Sequence, residues 1–342
     1  MKDRPAVGHV ATAILIVGLL YVARPIFIQL AFALFVIALV WPVQARLQKW
    51  LPKLLALLLS LCMTVLVIVI VGSVIGWGFG KLGQWLLVNA GRFQGVYAEW
   101  AEWLDSHGIA IVAPLMDRFD VTWLVAAVQN VAGRLNSFAG SATLVFVLAM
   151  LGLLEVDDFC ARLQLPAAQP HGQRILEANR EIGRKLRRFM AVRTVASVLT
   201  GAAVWIFAML AGLELAAAWG AIAFTLNYIP FLGPLIATLF PTVFAIAQFE
   251  SWQMAVLVFA CLNVIQFIIG SYIEPMLAGA SLNISPFAVI FAVFFWSFLW
   301  GIAGAFIGIP ILIGFVVYCE RSPSSRWLAT LLSVKSDATT DL

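Results

Sequence analysis

From Thr194 to Tyr318 the chain contains no lysine and no arginine. Charged residues make up only 11% of the whole sequence, against roughly 25% in soluble domains. That scarcity excludes an ordinary soluble fold. Cysteine is sparse as well: Cys62, Cys160, Cys261 and Cys319 are scattered, mostly within apolar runs, with no C-x-x-C pair. This pattern excludes a disulfide framework and a zinc ribbon and fits small packing side chains. The three histidines, His9, His107 and His171, lie too far apart for ligand spacing, so no metal site is expected. No G-x-x-x-x-G-K-[ST], G-x-S-x-G or H-E-x-x-H pattern occurs. Nucleotide-driven pumping and the familiar hydrolase and zinc-peptidase chemistries therefore have no visible basis. No cofactor is expected, and the chain is not read as an enzyme. The net charge of +4 gathers largely in one basic segment and reads as membrane topology, with no nucleic-acid partner.

What is present is hydrocarbon. Hydrophobic residues form 63% of the chain and the mean hydropathy is +1.00. The apolar runs are helical in length and do not alternate, which favours helices over a barrel. The expected fold is all-α, a polytopic helical membrane protein of about eight spans with interrupted C-terminal helices. Residues 1–79 supply three spans: His9 to Ala23 (beginning nearer Pro5), Ile26 to Val43 and Leu54 to Phe79. Arg24-Pro25 links the first two, and the first is read as an uncleaved span. Residues 80–136 form an insertion of mixed charge with Trp85, Trp100, Trp103 and Trp123, read as short amphipathic helices near a membrane interface. Residues 137–156 hold the fourth span. A linker and a basic helix occupy 157–193, broken C-terminal spans occupy 194–320, and a tail occupies 321–342.

Cations set the orientation. Eight lysines and arginines lie between Asp157 and Arg193, and further ones flank the first span, follow the second and follow the last. The insertion has four cations and five acids. Both termini and the basic helix are expected in the cytoplasm of a bacterial inner membrane, with the insertion outside. In the basic helix Ile175, Ala178, Ile182, Leu186, Phe189 and Met190 recur at helical spacing. Arg180, Arg184, Lys185, Arg187 and Arg188 take the remaining surface.

The cation-free third is punctuated. Asn227-Tyr228-Ile229-Pro230-Phe231-Leu232-Gly233-Pro234 breaks one long run, and Pro241 follows. Glu274-Pro275 and Asn283-Ile284-Ser285-Pro286 separate two others, and Gly301, Gly304, Gly308 and Pro310 punctuate the last. Prolines remove donors and disfavour helix before them. Unpaired backbone at membrane depth is tolerated only in buried protein or beside a wet cavity, and transporters hold solutes there. The runs 215–249 and 286–318 fit either single broken spans or helix pairs that turn back. On the intervening span Asn263, Gln266, Gly270 and Glu274 stand at i, i+3, i+7 and i+11, within about 80° of one another in a regular α-helix. Their face, with Asn227 and Tyr228, is the candidate solute path. Glu274 is either a functional carboxylate at membrane depth or a cap at the extracytoplasmic interface.

Three stretches resemble the autoinducer-2 exporter family, the PerM-like permeases. They are LNYIPFLGPLIATLFP (Leu226 to Pro241), YIEPMLAGASLNISP (Tyr272 to Pro286) and FWSFLWGIAGAFIGIP (Phe295 to Pro310). The order of elements is also similar, including a Pro42-Val43 turn after the second span. The matching motif positions are Asn227, Ile229, Pro230, Gly233, Pro234, Glu274, Pro275, Pro286, Gly301, Gly304 and Pro310. Ala280 follows Gly279 where the family often has a basic residue. The resemblance implies a lipid-embedded inner-membrane permease that assembles as a homo-oligomer, with a pentamer expected. It implies export of a small polar solute such as autoinducer-2, or Na⁺(Li⁺)/H⁺ antiport through Glu274. A membrane scaffold that transports nothing is the third reading.

Overall fold

The computed structural model describes residues 4–89, 91–92, 95, 106, 121–278, 284–323 and 325–333. Among these the chain is helical apart from short connections and one antiparallel bridge, Ile284 to Ser333. The helices are α1 (Arg4–Val22), α2 (Arg24–Leu47), α3 (Lys53–Val88), α4 (Val121–Leu163), α5 (His171–Leu210), α6 (Ala216–Leu226), α7 (Leu232–Phe249), α8 (Trp252–Ile268), α9 (Glu274–Ala278), α10 (Pro286–Arg321) and α11 (Arg326–Leu332). A 3₁₀ turn at Pro166–Ala168 precedes α5, and a π-helical turn at Ile269–Ile273 joins α8 to α9. Six helices among the described residues are long and apolar enough to cross a membrane: α2, α3, α5, α7, α8 continued to Ala278, and α10. The all-α polytopic class is the observed one. Helices α1 and α4 cover the first and fourth expected spans.

Several boundaries differ from the expectation for physical reasons. Pro42 does not end a span. It lies inside α2, where it offers no N–H to Ala38 four residues earlier. The Arg187 guanidinium donates to that carbonyl instead, at 2.8 Å. The basic helix and the next span are one 40-residue helix, α5, because nothing between Phe189 and Thr200 breaks a helix. At about 1.5 Å per residue α5 is roughly twice the depth of the hydrocarbon, so its charged half projects beyond the apolar half. The two ends of the insertion are extensions of long helices, α3 to Val88 and α4 from Val121. Trp100 and Trp103 lie outside the described residues, as do Gly279, Ala280 and Asn283.

The chain forms two compact units, and α3, α4 and α5 contribute to both. Unit 1 comprises residues 1–64, 141–191 and 278–342. Its core joins Leu57, Leu61 and Leu153 to Ile37 and Trp41, and Phe35 meets Phe306 edge-on at 6.0 Å. Buried Gln44 donates to the Leu153 carbonyl. Unit 2 comprises residues 65–140 and 192–277. Its core centres on Phe244, which meets Trp85 at 4.1 Å and Trp219 at 5.1 Å between ring centroids.

Both long punctuated runs are helix pairs. In unit 2, α6 and α7 fold back on each other, as the Trp219–Phe244 contact requires. The ends of this hairpin are tied together: Gln248 donates to the Gly212 carbonyl and accepts from the Glu214 N–H. In unit 1, α10 turns at Gly301, whose φ of 64° and ψ of −141° suit glycine almost alone. Its two arms, 286–300 and 302–321, run side by side. A Cβ on Gly304 would lie 1.8 Å from the Trp296 carbonyl oxygen, and one on Gly308 would lie 3.1 Å from that of Ala292. Ala288, Ala292, Leu312 and Val316 close the open end.

Candidate functional site

The polar residues of unit 2 gather on one short stretch of α5. Glu274 accepts a hydrogen bond from Arg193 Nη1 at 2.9 Å, and both side chains are largely covered. One turn later on the same α5 face, Ser197 Oγ accepts from Asn227 Nδ2 at 3.2 Å. On the exposed side of this stretch the Tyr228 hydroxyl and Thr194 Oγ1 lie 3.1 Å apart. Arg193, Ser197, Thr200 and Asn227 are all buried. The site sits where the charged half of α5 meets its apolar half, at the tip of the α6–α7 hairpin.

The tip is shaped by backbone chemistry. Asn227 closes α6. Pro230 then accepts from the Leu232 N–H at 2.7 Å, across Phe231 at φ 63° and ψ −51°. That is a γ-turn, a strained conformation for a side-chain-bearing residue. Strain of this kind persists where surrounding packing imposes it. Gly233 supplies that packing: a Cβ there would lie 1.9 Å from the Leu226 carbonyl oxygen. Pro234 occupies the first turn of α7, where a missing N–H costs nothing. Pro241 lies buried inside α7. Behind the tip, α5 and α6 cross at Gly201 and Gly220, each of whose missing side chains would collide with the opposite helix. Small residues permit this close approach of helices in membranes.

Glu274 reaches Arg193 through the π-helical turn before it. Pro275 offers no N–H to Ser271, and a turn with one extra residue accommodates that loss. The extra residue also rotates Glu274 by up to about one residue's 100° relative to α8. The four-residue face expected from regular spacing is therefore divided. Asn263 is exposed and donates to its own helix at the Phe259 carbonyl, 2.8 Å away. Gly270 is also exposed, Gln266 is partly covered, and the packed face of α8 is Ala255, Val258 and Leu262. Val264 and Ile268, on the side opposite that polar face, are exposed as well. Glu274 lies beside Arg193, the last residue of the basic segment, near the middle of α5.

Sequence reasoning missed Arg193 and the buried polar stripe Arg193, Ser197 and Thr200 on α5. The signal was present at i, i+4 and i+7 but straddled the boundary where the basic run ends at Arg193 and the apolar run holding Ser197 and Thr200 begins. Of the remaining motif positions, Pro286 opens α10 after Ser285, and Pro310 is buried in its second arm. No group of three or more metal-binding side chains occurs among the described residues.

Residues 10–323 match the model of the AI-2E family of transporters. The chain belongs to this family. Among relatives, it is 29% identical over 227 residues to the AI-2 transport protein TqsA of Escherichia coli K12, covering 65% of this chain and 64% of TqsA. A Borreliella burgdorferi protein, named only provisionally for transport, is 31% identical over 177 residues, 52% of this chain and 49% of its own. YhhT of Escherichia coli K12, also provisionally named for transport, is 25% identical over 218 residues, covering 64% and 62%. The chain thus spans about half to just under two thirds of the length of these relatives. The broken C-terminal segments of this AI-2E family chain are helical hairpins, and at one hairpin tip buried Asn227 meets the buried polar stripe of α5.

Proposed function

We propose that this chain is an inner-membrane permease that exports a small, uncharged polar solute of the autoinducer-2 type. The solute is held between the α6–α7 tip and the Arg193–Glu274 pair. One observation carries the reading: a buried guanidinium and a carboxylate already neutralise each other at the site. A charged solute brought there would add an uncompensated charge in a low-dielectric setting, at a cost of several kcal/mol. A solute with hydroxyl and carbonyl groups adds none and can bond Asn227 and Tyr228. Arg193 Nε, buried and without a hydrogen-bond partner among the described residues, is a donor for a solute oxygen. The name of the TqsA relative supports this solute class.

Antiport of Na⁺ or Li⁺ against protons through Glu274 is the second reading, and the same pair counts against it. A carboxylate that serves Arg193 has little negative charge left to attract a cation. Asn263 and Gln266 belong to the path only if a second conformation brings them inward. The cation distribution supports cytoplasmic termini, and the resemblance supports a homo-oligomer of five. Proteoliposomes separate the readings. Uptake of a labelled polyhydroxylated solute, unaffected by imposed Na⁺ or Li⁺ gradients, is the expected result. Proton movement driven by those gradients, without solute flux, would establish the antiporter instead.

A further inference from the structure

Unit 1 contains a half-open cleft of about 550 Å³, lined by α2, α4, α5 and α10. This is a size typical of ligand sites. Its walls are apolar, with Ile37, Phe159 and Ile311 among them, and Gly314 leaves part of its volume open. One part of the lining is polar, with Glu155, Cys160 and Asn179. It lies where the apolar run of α4 gives way to Glu155, Asp157 and Asp158. The neighbouring charges are of both signs. Asp157 is paired with Lys53 at 3.9 Å. Arg180 lies close enough to Cys160 to act on it electrostatically. Neither Glu155 nor Arg180 has an ion-pair partner among the described residues.

An open apolar cleft with an acid without an ion-pair partner in its polar lining and a base without one just beyond that lining matches a particular amphiphile. A purely anionic headgroup would meet Glu155 uncompensated, and a purely cationic one would meet Arg180. A zwitterionic headgroup satisfies both. The junction of an apolar helix with its charged end is also where headgroups lie. We infer that this cleft holds one acyl chain of an aminophospholipid, with its ammonium group at Glu155 and its phosphate towards Arg180. This inference is independent of the solute assigned to unit 2.

The test uses the full-length protein in nanodiscs of phosphatidylethanolamine, phosphatidylcholine and phosphatidylglycerol, with retained lipid read by native mass spectrometry after transfer to detergent. One phosphatidylethanolamine per chain is expected, about tenfold over either competitor. Phosphatidylcholine is disfavoured because its quaternary ammonium has no N–H for Glu155. Gly314 lines the cleft and a Cβ there meets nothing within 4 Å, so Gly314→Leu should occupy part of the cleft and abolish retention. Glu155→Gln should keep a lipid but lose the headgroup preference. Equal retention of phosphatidylglycerol, or unchanged retention in Gly314→Leu, would overturn the inference. So would a change in oligomeric state with Gly314→Leu at constant lipid content, which would assign the cleft to a second copy of the chain.

Discussion

An arginine that loses its carboxylate inside a helical bundle has no water to turn to. Removing one member of a buried ion pair costs about 3–5 kcal/mol, whereas replacing both by apolar groups is often neutral. Glu274→Leu should therefore destabilise the detergent-solubilised protein by that amount. Adding Arg193→Met should restore most of the loss, as read by thermal unfolding. Solute flux should be lost in both variants. If the double variant transports normally, the pair is structural only. The carboxylate was legible in the sequence because it stands alone among apolar residues. Arg193 was not, because a cation at the end of a basic run reads as a flank. Only tertiary packing shows that it turns inward and that Ser197 and Thr200 continue its stripe.

At the scale of elements, glycines decide where helices turn and how closely they pass. Gly233→Ala would force a Cβ into the Leu226 carbonyl. It should exceed the roughly 3 kcal/mol upper end of ordinary substitutions and yield misfolded protein on size exclusion. Gly301→Ala meets no steric obstacle and should cost about 1–3 kcal/mol through its backbone angles alone, leaving a folded but less stable protein. The break positions were legible from prolines and glycines. Whether each break bent a span or reversed it was not. Reversal depends on contacts such as Gly304 with Trp296, which no local pattern encodes. The π-helical turn was equally hidden, since a proline can be accommodated by a kink, a stop or a widened turn.

Across the whole molecule, the all-α class and the apolar runs followed from composition, and the joining of runs into long helices did not. The charged half of α5 illustrates why. It looked like a separate surface helix, yet it is continuous with a span and is clamped to the end of α10. Arg321 donates to Glu177 and to Glu181, each at 2.6 Å. Lys185 reaches Glu320 at 3.4 Å. The Arg321 hydrogen bond holds the Glu181 carboxyl below the usual glutamate range. A depressed carboxyl contributes its stability fully above the ordinary value and loses it as pH falls through the lowered one. Hydrogen exchange in residues 321–333 should therefore be slow at neutral pH and accelerate at strongly acidic pH. Exchange that does not vary with pH, after correction for intrinsic rates, would remove Glu181 from the clamp.

The pairing of Arg193 with Glu274 has an electrical consequence. A single elementary charge moved through the membrane field exchanges about 2.3 kcal/mol per 100 mV. Two opposite charges moving together exchange almost none. A permease that carries an uncharged solute past this pair should work at the same rate in polarised and depolarised vesicles. Arg193→Met leaves the carboxylate without its counter-charge, so any residual flux in that variant should become sensitive to voltage.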